Sequence, residues 1–315
     1  MEVLVFGSAI VDFICYVPRL PKAGETLHGT SFATGFGGKG ANQCVAAAKL
    51  GAKTAIIAKV GGDAWGKTYL DHLQKENVNT DHVQICSDET TGIAQICVAE
   101  GGENNIVIVA GANELLSEND VNKALDLFTE SKVLICQLES SIEATIVALR
   151  EFKGISILNG APALENTPSE LLEYSKIFCV NETEAALMTG FPINSLGDSR
   201  AALLRMIEMG ANTVIITLGK HGAVYMKKTN TQEIVHIPAQ KIEKVIDTTG
   251  AGDSFIGALA FYLARFPDFP LHQQIGGACA VASFSVQFPG TQSSFPDAQK
   301  VHTDLTNVQY PWKIL

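Results

Sequence analysis

The sequence lacks the patterns of a disulfide framework and of an amino-terminal secretory signal. Its seven cysteines are an odd number and form no Cys-x-x-Cys pair; they lie at positions 15, 44, 86, 97, 136, 179 and 279. Cysteines scattered in this way are typical of reduced thiols in a cytosolic protein. The amino-terminal stretch MEVLVFGSAIVDF has no basic segment before its apolar residues. No apolar run reaches the roughly 18 residues of a membrane span. We therefore expect a soluble, cytoplasmic protein without membrane contact, with the nucleus as a further location in a eukaryote.

Positive charge is also scarce. Lysine and arginine total 23 against 33 aspartates and glutamates, which gives a net charge of −10. Only Lys227 and Lys228 are adjacent basic residues, so the basic face of a nucleic-acid-binding protein is not expected. The seven histidines have no metal-ligand spacing, and no Gly-x-Ser-x-Gly motif occurs. Zinc chemistry and serine-hydrolase chemistry are therefore unsupported.

Short apolar runs alternate with helical patterns along most of the chain. The predicted strands are 3–6, 54–63, 132–139, 154–160, 176–184 and 213–222, and each ends in polar or glycine residues. The predicted helices are 41–51, 65–77, 143–154 and 199–211. This alternation predicts an α/β fold with a central, mostly parallel sheet flanked by helices. Such sheets bind ligands at the carboxyl ends of their strands.

Two segments break the alternation. Residues 14–36 contain proline, glycine and alternating polar and apolar residues, and residues 91–113 are typical of a strand, a glycine-rich turn and a second strand. Together they predict a small antiparallel β-sheet inserted at about 13–36 and 91–113 of a single domain spanning 1–315. Its apolar face needs cover from a ligand or from a second copy of the chain.

The stretch DTTGAGDSF, from Asp247 to Phe255, precedes an apolar helical pattern. Gly250, Ala251 and Gly252 have almost no side chain, so their N–H groups can approach an anion, and the helix adds its positive end. A carboxylate repels an anion; Asp253 therefore suggests a base that accepts a proton from a hydroxyl, as in phosphoryl transfer by kinases. The alternative is that Asp253 caps the helix. The stretch is not a Walker A motif, and no Gly-x-Gly-x-x-Gly follows the first strand.

A second glycine-rich stretch, GFGGKGANQ, begins at Gly35. Its glycines permit close approach of the backbone to a ligand, and Lys39 and Asn42 supply hydrogen-bond donors that suit a polyhydroxylated molecule. The alternative is a flexible loop with a solvated lysine.

Further polar residues follow predicted strands. Asp12 stands at the polar end of the first strand, and Glu139 ends the run LICQLE; either could accept sugar hydroxyls or be solvated by water. Asn181 and Glu184, in NETE, could approach metal-bound phosphates or form a capping box. The stretch TLGKHG, 217–222, suits a loop that touches phosphate or base, or a plain turn.

These motifs and their order resemble the carbohydrate kinase family that includes ribokinase, fructokinase and adenosine kinase. The order is Gly-Ser…Asp, GGKGAN, QLE, NETE, TLGKHG, DTTGAGD and GTQSS, over roughly residues 3 to 297. The joint occurrence of GGKGANQ, VAGAN and GTQSS is most similar to the ribokinase branch. The resemblance implies a ribokinase-like fold, ATP-dependent phosphorylation of D-ribose at O5, a β lid formed by the inserted strands, and a homodimer through that lid.

The resemblance also implies residue roles. Ribose would contact Ile10, Val11, Asp12, Gly38, Lys39, Gly40, Ala41, Asn42 and Glu139. Asp253 would be the base, with Gly250, Ala251 and Gly252 as the anion cradle. ATP would contact Asn181, Thr217, Leu218, Gly219, Lys220, His221, Gly222, Gly252, Asp253 and Cys279. Glu184 would act on Mg²⁺ through water, and an activating K⁺ would be held by Asp247, Thr249, Ser285, Phe288, Gly290 and Ser294.

Two positions depart from the family pattern. Ile10 stands where bacterial ribokinases usually have Asn, and Cys279 stands where the family often has Asn or His near adenine. A sibling kinase for 2-deoxyribose, fructose or a nucleoside such as adenosine is therefore an alternative. A sugar-binding regulator without catalysis is a second alternative, and the retained Asp253 and Glu184 argue against it.

Overall fold

The computed structural model describes residues 1–315 and contains two β-sheets. The strands are β1 (Val3–Phe6), β2 (Ile10–Val17), β3 (Ser31–Gly37), β4 (Thr54–Gly61), β5 (Val78–Asn79), β6 (Val83–Cys86), β7 (Gly92–Ala99), β8 (Asn104–Val109), β9 (Val133–Cys136), β10 (Ile155–Asn159), β11 (Ile177–Asn181), β12 (Thr213–Thr217), β13 (Ala223–Lys227), β14 (Asn230–Ile237) and β15 (Lys313–Ile314). The α-helices are α1 (Lys39–Lys49), α2 (Ala64–Lys75), α3 (Glu118–Lys123), α4 (Leu125–Glu130), α5 (Ile142–Glu151), α6 (Ser169–Tyr174), α7 (Glu182–Thr189), α8 (Ser199–Glu208), α9 (Ala251–Arg265) and α10 (Leu271–Ser285).

The larger sheet has eleven strands in the order β15-β14-β13-β12-β11-β10-β9-β1-β4-β5, with β6 also paired to β4. All neighbours from β12 to β5 are parallel. Alternate residues of β1 point to opposite faces: Val3 and Val5 belong to a buried apolar cluster of 44 residues, and Leu4 and Phe6 to a second cluster of 33. Helices α1, α2, α9 and α10 supply the first cluster, and α3 to α8 supply the second. A parallel sheet buried on both faces explains why these strands are almost wholly apolar.

The predicted mostly parallel sheet is confirmed, but its far edge was not anticipated. Strands β12, β13 and β14 pair antiparallel and extend the sheet. Only Lys228 and Thr229 connect β13 to β14, and this turn carries no glycine. The usual sequence signal of a two-residue hairpin is therefore missing.

The small sheet, made of β3, β2, β7 and β8, confirms the predicted insertion. Each predicted segment supplies an antiparallel pair, β2 with β3 and β7 with β8, and the two inner strands β2 and β7 run parallel. Strand β2 already begins at Ile10. Asp12 therefore lies within the small sheet, and the prediction that it ends the first strand of the central sheet is wrong.

The first helical turns of α1 and α9 lie at the carboxyl edge of the central sheet. Gly40 N–H donates to Ser8 Oγ (3.3 Å), just beyond β1, and Asp253 is joined through Gln43 to Asn159, the last residue of β10. This edge holds the candidate site. None of the helices combines the length and apolar character that crossing a membrane would need.

Candidate active site

Helix α9 begins without a side-chain cap. Its N-cap is Gly250, in the left-handed region at φ 75°, where an added Cβ would lie 2.6 Å from Thr291 Cγ2. The N–H groups of Gly252 and Asp253 donate to no group within the chain. Free N–H groups at a helix amino terminus form a ready site for an anion. The alternative that Asp253 caps this helix is wrong, because its side chain accepts hydrogen bonds from another helix.

The Asp253 carboxylate is 8% exposed and lies against α1. Oδ2 accepts from Asn42 Nδ2 at 2.9 Å, and Oδ1 accepts from Gln43 Nε2 at 2.8 Å. The two glycine-rich motifs, more than 200 residues apart in sequence, therefore meet at this carboxylate. Two donors on one carboxylate hold its plane in a fixed orientation.

The first turn of α1 packs closely on the segment after β1. Gly38 has a φ of 83°, which favours glycine, and a Cβ on Gly40 would lie 2.5 Å from the Ser8 nitrogen. Ala41 N–H donates to Ser8 O at 2.8 Å. Glu139, just beyond β9, accepts from Ser8 Oγ (2.6 Å) and from the Lys39 N–H (2.8 Å). The helix start and Glu139 thus form one rigid corner.

Several charges share this corner. Burial lowers the pKa of Lys39, but the carboxylates of Asp253, Glu139 and Glu184 outweigh burial and raise it. Burial, with the nearby charges of Glu139 and Asp253, raises the pKa of Asp12 to about 7. Lys39 is therefore charged at neutral pH, and the raised pKa of Asp12 places its titration near neutral pH.

The raised pKa of Asp12 predicts a pH dependence. Asp12 is predicted from sequence to accept sugar hydroxyls, and only the ionised carboxylate accepts hydrogen bonds with both oxygens; in that predicted role it should bind sugar more weakly as pH falls through about 7. We expect kcat/KM for the sugar to decrease below pH 7, and this inflection to vanish in Asp12→Asn. The pH profile of kcat/KM for ATP serves as the control, and it should have the same shape in wild type and in Asp12→Asn. An identical inflection in Asp12→Asn and wild type would show that another group titrates.

A cleft of about 170 Å³ opens beside Asp253. The predicted residues that line it are Lys39, Asn181, Glu184, Thr217, Gly250, Gly252 and Asp253. Asn159, Ala161, Cys179, Val180, Phe255 and Ile256 complete its wall. The cleft therefore joins residues predicted for the sugar, for the phosphoryl group and for ATP.

The other predicted residues lie outside this cleft. Ile10 and Val11 are buried in β2. Leu218 N–H bonds Gly222 O at 2.7 Å, which closes a turn around the short 3-10 helix Gly219–His221. Gly222 has a φ of 89°, and a Cβ there would lie 2.0 Å from Ile237 O. Cys279 is 6% exposed within α10.

Asn181 and Glu184 form the capping box of α7. Asn181 N–H donates to Glu184 Oε2, and Glu184 N–H donates to Asn181 Oδ1, both at 2.8 Å. The capping box that was the alternative for NETE is thus present, and both residues also line the cleft. Burial raises the pKa of Glu184 against the opposing effects of the Asn181 N–H and Lys39.

The residues predicted to hold K⁺ lie on the loop before α9, at the end of α10 and on the loop that follows α10. Asp247 Oδ1 accepts from Thr249 N–H and Oδ2 from Gly290 N–H, each at 2.9 Å. Burial opposes these bonds, which prevail and lower the pKa of Asp247. Ser285 and Ser294 donate their hydroxyls to the backbone of Ala282 and Thr291. Among the six predicted residues, the Ser285 carbonyl accepts a hydrogen bond from Phe288 N–H, and the other five backbone carbonyls accept none: those of Asp247, Thr249, Phe288, Gly290 and Ser294. Free carbonyl and hydroxyl oxygens near one carboxylate suit a weakly charged cation.

Four buried amide residues of this region are absent from the site predicted from sequence: Gln43, Gln137, Asn159 and Gln292. Asn159 ends β10, and polar residues at the carboxyl ends of parallel strands are expected near a ligand, so this position could have been predicted. Gln43 follows Asn42 directly, and its role emerges only from its contact with Asp253.

A model of the pfkB family carbohydrate kinases matches residues 1–298. The chain belongs to this carbohydrate kinase family. It is 44% identical over 297 residues to the ribokinase of Mus musculus, covering 93% of this chain and 91% of that protein. It is 38% identical over 309 residues to a deoxyribokinase of Salmonella typhi, covering 97% and 99%. The family predicted from sequence is confirmed.

Solved structures of this carbohydrate kinase family share the fold. The Arabidopsis thaliana ribokinase complexed with ribose and ATP has a TM-score of 0.89 and 30% identity, over 98% of this chain and 99% of that one. A ribokinase from Giardia lamblia has a TM-score of 0.87 and 28% identity, over 95% and 98%. The central sheet and the small sheet are thus those of the ribokinase-like fold.

Proposed function

We propose that this protein is an ATP-dependent ribokinase, which converts D-ribose and ATP to ribose 5-phosphate and ADP. The observation that carries the proposal is the position of Asp253. Its carboxylate is held by Asn42 and Gln43 of the sugar motif and stands at the uncapped amino terminus of α9. A base that faces a hydroxyl on one side and an anion cradle on the other is what phosphoryl transfer to an alcohol needs.

In the proposed reaction, Asp253 accepts the proton of the ribose O5 hydroxyl. O5 forms a bond to the γ-phosphorus, and the bond from that phosphorus to the β–γ bridging oxygen breaks, which releases ADP. Gly250, Ala251 and Gly252 form the proposed anion cradle, and the free N–H groups of Gly252 and Asp253 at this helix start would stabilise charge on the transferring group. Lys39 balances the negative charge of the surrounding carboxylates.

The remaining roles divide between residues for ribose and residues for ATP. Asp12, Asn42, Glu139 and the backbone from Gly38 to Ala41 would hold ribose, with backbone contacts from Ile10 and Val11. Asn181 and the strand end at Thr217 line the cleft on the opposite side and would face ATP. Leu218 to Gly222 and Cys279 would extend that side toward the nucleoside. Mg²⁺ would neutralise phosphate charge, and Glu184 is the carboxylate placed to act on it through water.

2-Deoxyribose is the second candidate substrate. The deoxyribokinase relative is aligned over 97% of this chain. Ile10 also offers no polar side-chain atom for a ribose hydroxyl.

An ADP-release assay coupled to NADH oxidation, run across D-ribose, 2-deoxyribose, fructose and adenosine, tests the substrate. We expect the highest kcat/KM with ribose. Detection of ribose 5-phosphate by mass spectrometry controls for ATP hydrolysis without transfer. A higher kcat/KM for 2-deoxyribose would select the second candidate, and no transfer to any acceptor would support a non-catalytic regulator.

Potassium should activate the enzyme. We propose that Asp247 and the free carbonyls of Thr249, Phe288, Gly290 and Ser294 hold K⁺, with the hydroxyl of Ser285, and that the site supports the turn leading to Gly252. Activity should rise several-fold with potassium and much less with sodium at constant ionic strength. Asp247→Ala should remove most of this response, and potassium should raise the thermal midpoint of the wild type alone. Equal activity in potassium, sodium and a bulky organic cation would contradict the site.

We further propose a single domain over 1–315, in which the small sheet is a lid that also forms a homodimer. Strand β8 presents Ile106, Val107, Ile108 and Val109, each 49–61% exposed. An exposed apolar edge strand usually pairs or packs with another surface. Sedimentation velocity should show a dimer, and a monomer at micromolar concentration would contradict it. The free thiols and the proposed substrates are in keeping with a cytoplasmic location.

A further inference from the structure

Two chains of buried amide side chains lead away from the Asp253 carboxylate. Their members are Asn42 and Gln292 on one side and Gln43 and Gln137 on the other, each at most 5% exposed. Buried amides are costly unless their groups are paired, so an arrangement of this kind tends to have one hydrogen-bonding pattern.

The carboxylate fixes the direction of both chains. An ionised carboxylate only accepts hydrogen bonds, so Asn42 and Gln43 must present their nitrogens to Asp253. Asn42 Oδ1 therefore faces away and accepts from Gln292 Nε2 at 2.8 Å. Gln43 Oε1 likewise accepts from Gln137 Nε2 at 2.8 Å, and that chain ends there because Gln137 Oε1 has no partner.

Gln292 has contacts on three sides. Besides Asn42, its nitrogen contacts Tyr69 Oη (3.3 Å), and Tyr69 donates to the carbonyl of Gly37 at 2.5 Å, the last residue of β3. Its oxygen is 2.7 Å from His72 Nε2, which must therefore be the donor. The His72 ring stacks on Phe36 of β3 with ring centroids 4.1 Å apart. Gln292, in the loop that follows α10, thus contacts α1 through Asn42, and it reaches the end of β3 through Tyr69 and His72 of α2.

We propose that Gln292 is a positioning residue for Asp253, acting through the Asn42 amide. By donating to Asn42 Oδ1, it keeps Asn42 Nδ2 turned toward the carboxylate. Without that donor the Asn42 amide is free to reverse, and its oxygen would then face the carboxylate oxygen. Asp253 would lose one of the two donors that hold it. The inference rests on the proposed role of Asp253 as base, and Gln292 itself touches no substrate in it.

Gln292→Glu tests the direction of the chain with almost no change of shape. The ionised carboxylate that this variant carries at position 292 only accepts hydrogen bonds, so it should reverse the Asn42 amide. As a result, kcat at saturating ribose and ATP should fall about tenfold or more at pH 8. Burial raises the pKa of a carboxyl group, so the introduced carboxylate should gain a proton as pH falls and become a donor again. The ratio of Q292E kcat to wild-type kcat should therefore rise several-fold between pH 8 and pH 6.

Gln274→Glu is the matched control. Gln274 is also a buried amide, and it donates to the carbonyl of Phe266 beyond the far end of α9, about 20 Å from Asp253 along that helix. It should lower the thermal midpoint and leave the kcat ratio to wild type flat with pH. A flat ratio for Q292E, or the same rise in Q274E, would overturn the proposal.

Gln292→Met covers the case in which Q292E does not fold. Methionine keeps the length of the side chain and removes its donor, so kcat should fall about tenfold or more while ATP affinity stays within two-fold. A folded Q292M protein with wild-type kcat would overturn the proposal. Asp253→Asn separates the two levels: if that variant is active, the proposed base is wrong, whereas an inactive D253N beside fully active Gln292 variants would refute the positioning role alone.

Discussion

Asp253→Asn should lower kcat by about 10²–10⁴ and leave the binding of ribose and ATP within a few-fold. The amide has nearly the shape of the carboxylate, so the buried surroundings of Asp253 should persist. It cannot accept the proton from the sugar hydroxyl, however, and one of its two positions becomes a donor that faces Asn42 or Gln43. Single-turnover kinetics measure the loss, and calorimetry with each ligand measures the retained binding.

Asp268→Asn provides the matched charge change. Asp268 is exposed and its side chain makes no hydrogen bond within the chain, so its loss should leave kcat unchanged. If Asp253→Asn retained a tenth or more of the wild-type kcat, Asp253 would not be the base. If Asp253→Asn lost the binding of ribose and of ATP as well as activity, Asp253 would have a structural role instead.

Gly252→Val should lower kcat by about 10² or more and leave the folded protein intact. A Cβ at Gly252 would meet no atom of the chain within 4 Å, because this glycine faces the cleft that it lines. A valine would keep the backbone N–H but occupy the space that the transferring phosphoryl group needs, so that group could not reach the donors at the helix start; losing a single such contact typically costs about 10²–10³ in kcat. Steady-state kinetics measure the expected loss of kcat, and the thermal midpoint measures whether the protein stays folded.

Two other glycines frame this result. Gly197 also has open space, with Ser195 Oγ at 3.7 Å as its nearest contact, so Gly197→Val should alter neither activity nor stability appreciably. Gly250→Ala should instead destabilise the protein by at least about 1–2 kcal/mol, since it forces a side chain into a left-handed conformation and brings its Cβ to 2.6 Å from Thr291 Cγ2. Full activity of Gly252→Val would mean that the phosphoryl group lies elsewhere.

Local sequence patterns predicted the central sheet because a parallel strand buried on both faces must be a short apolar run. Asp253 and Lys39 were predicted as site residues from their glycine-rich stretches, since glycines permit close approach of the backbone to a ligand. Asp12 was placed on the wrong strand because the segment from Gly7 to Ala9 breaks β1 from β2 with only one glycine as a signal.

Gln292 shows the limit of such patterns. It lies within the quoted stretch GTQSS but 250 residues from Asn42, and nothing in that stretch says that its side chain contacts Asn42. Gln43 and Gln137 likewise lie in the quoted stretches GGKGANQ and QLE, but only the fold shows that Gln43 contacts Asp253 and that Gln137 contacts Gln43. Contacts of this kind depend on how separate elements pack, and a single sequence does not record that.

The division of the interior into two clusters has a consequence for how this enzyme can change. Lys39, Asn42 and Asp253 lie on α1 and α9, which belong to the first cluster, so repacking there moves the base and its partners. Helices α4, α6 and α8 belong to the second cluster and carry none of the proposed site residues. Directed evolution for heat tolerance should therefore accumulate its neutral or beneficial substitutions around Phe128, Leu171 and Met206, where stability can be raised without cost to turnover.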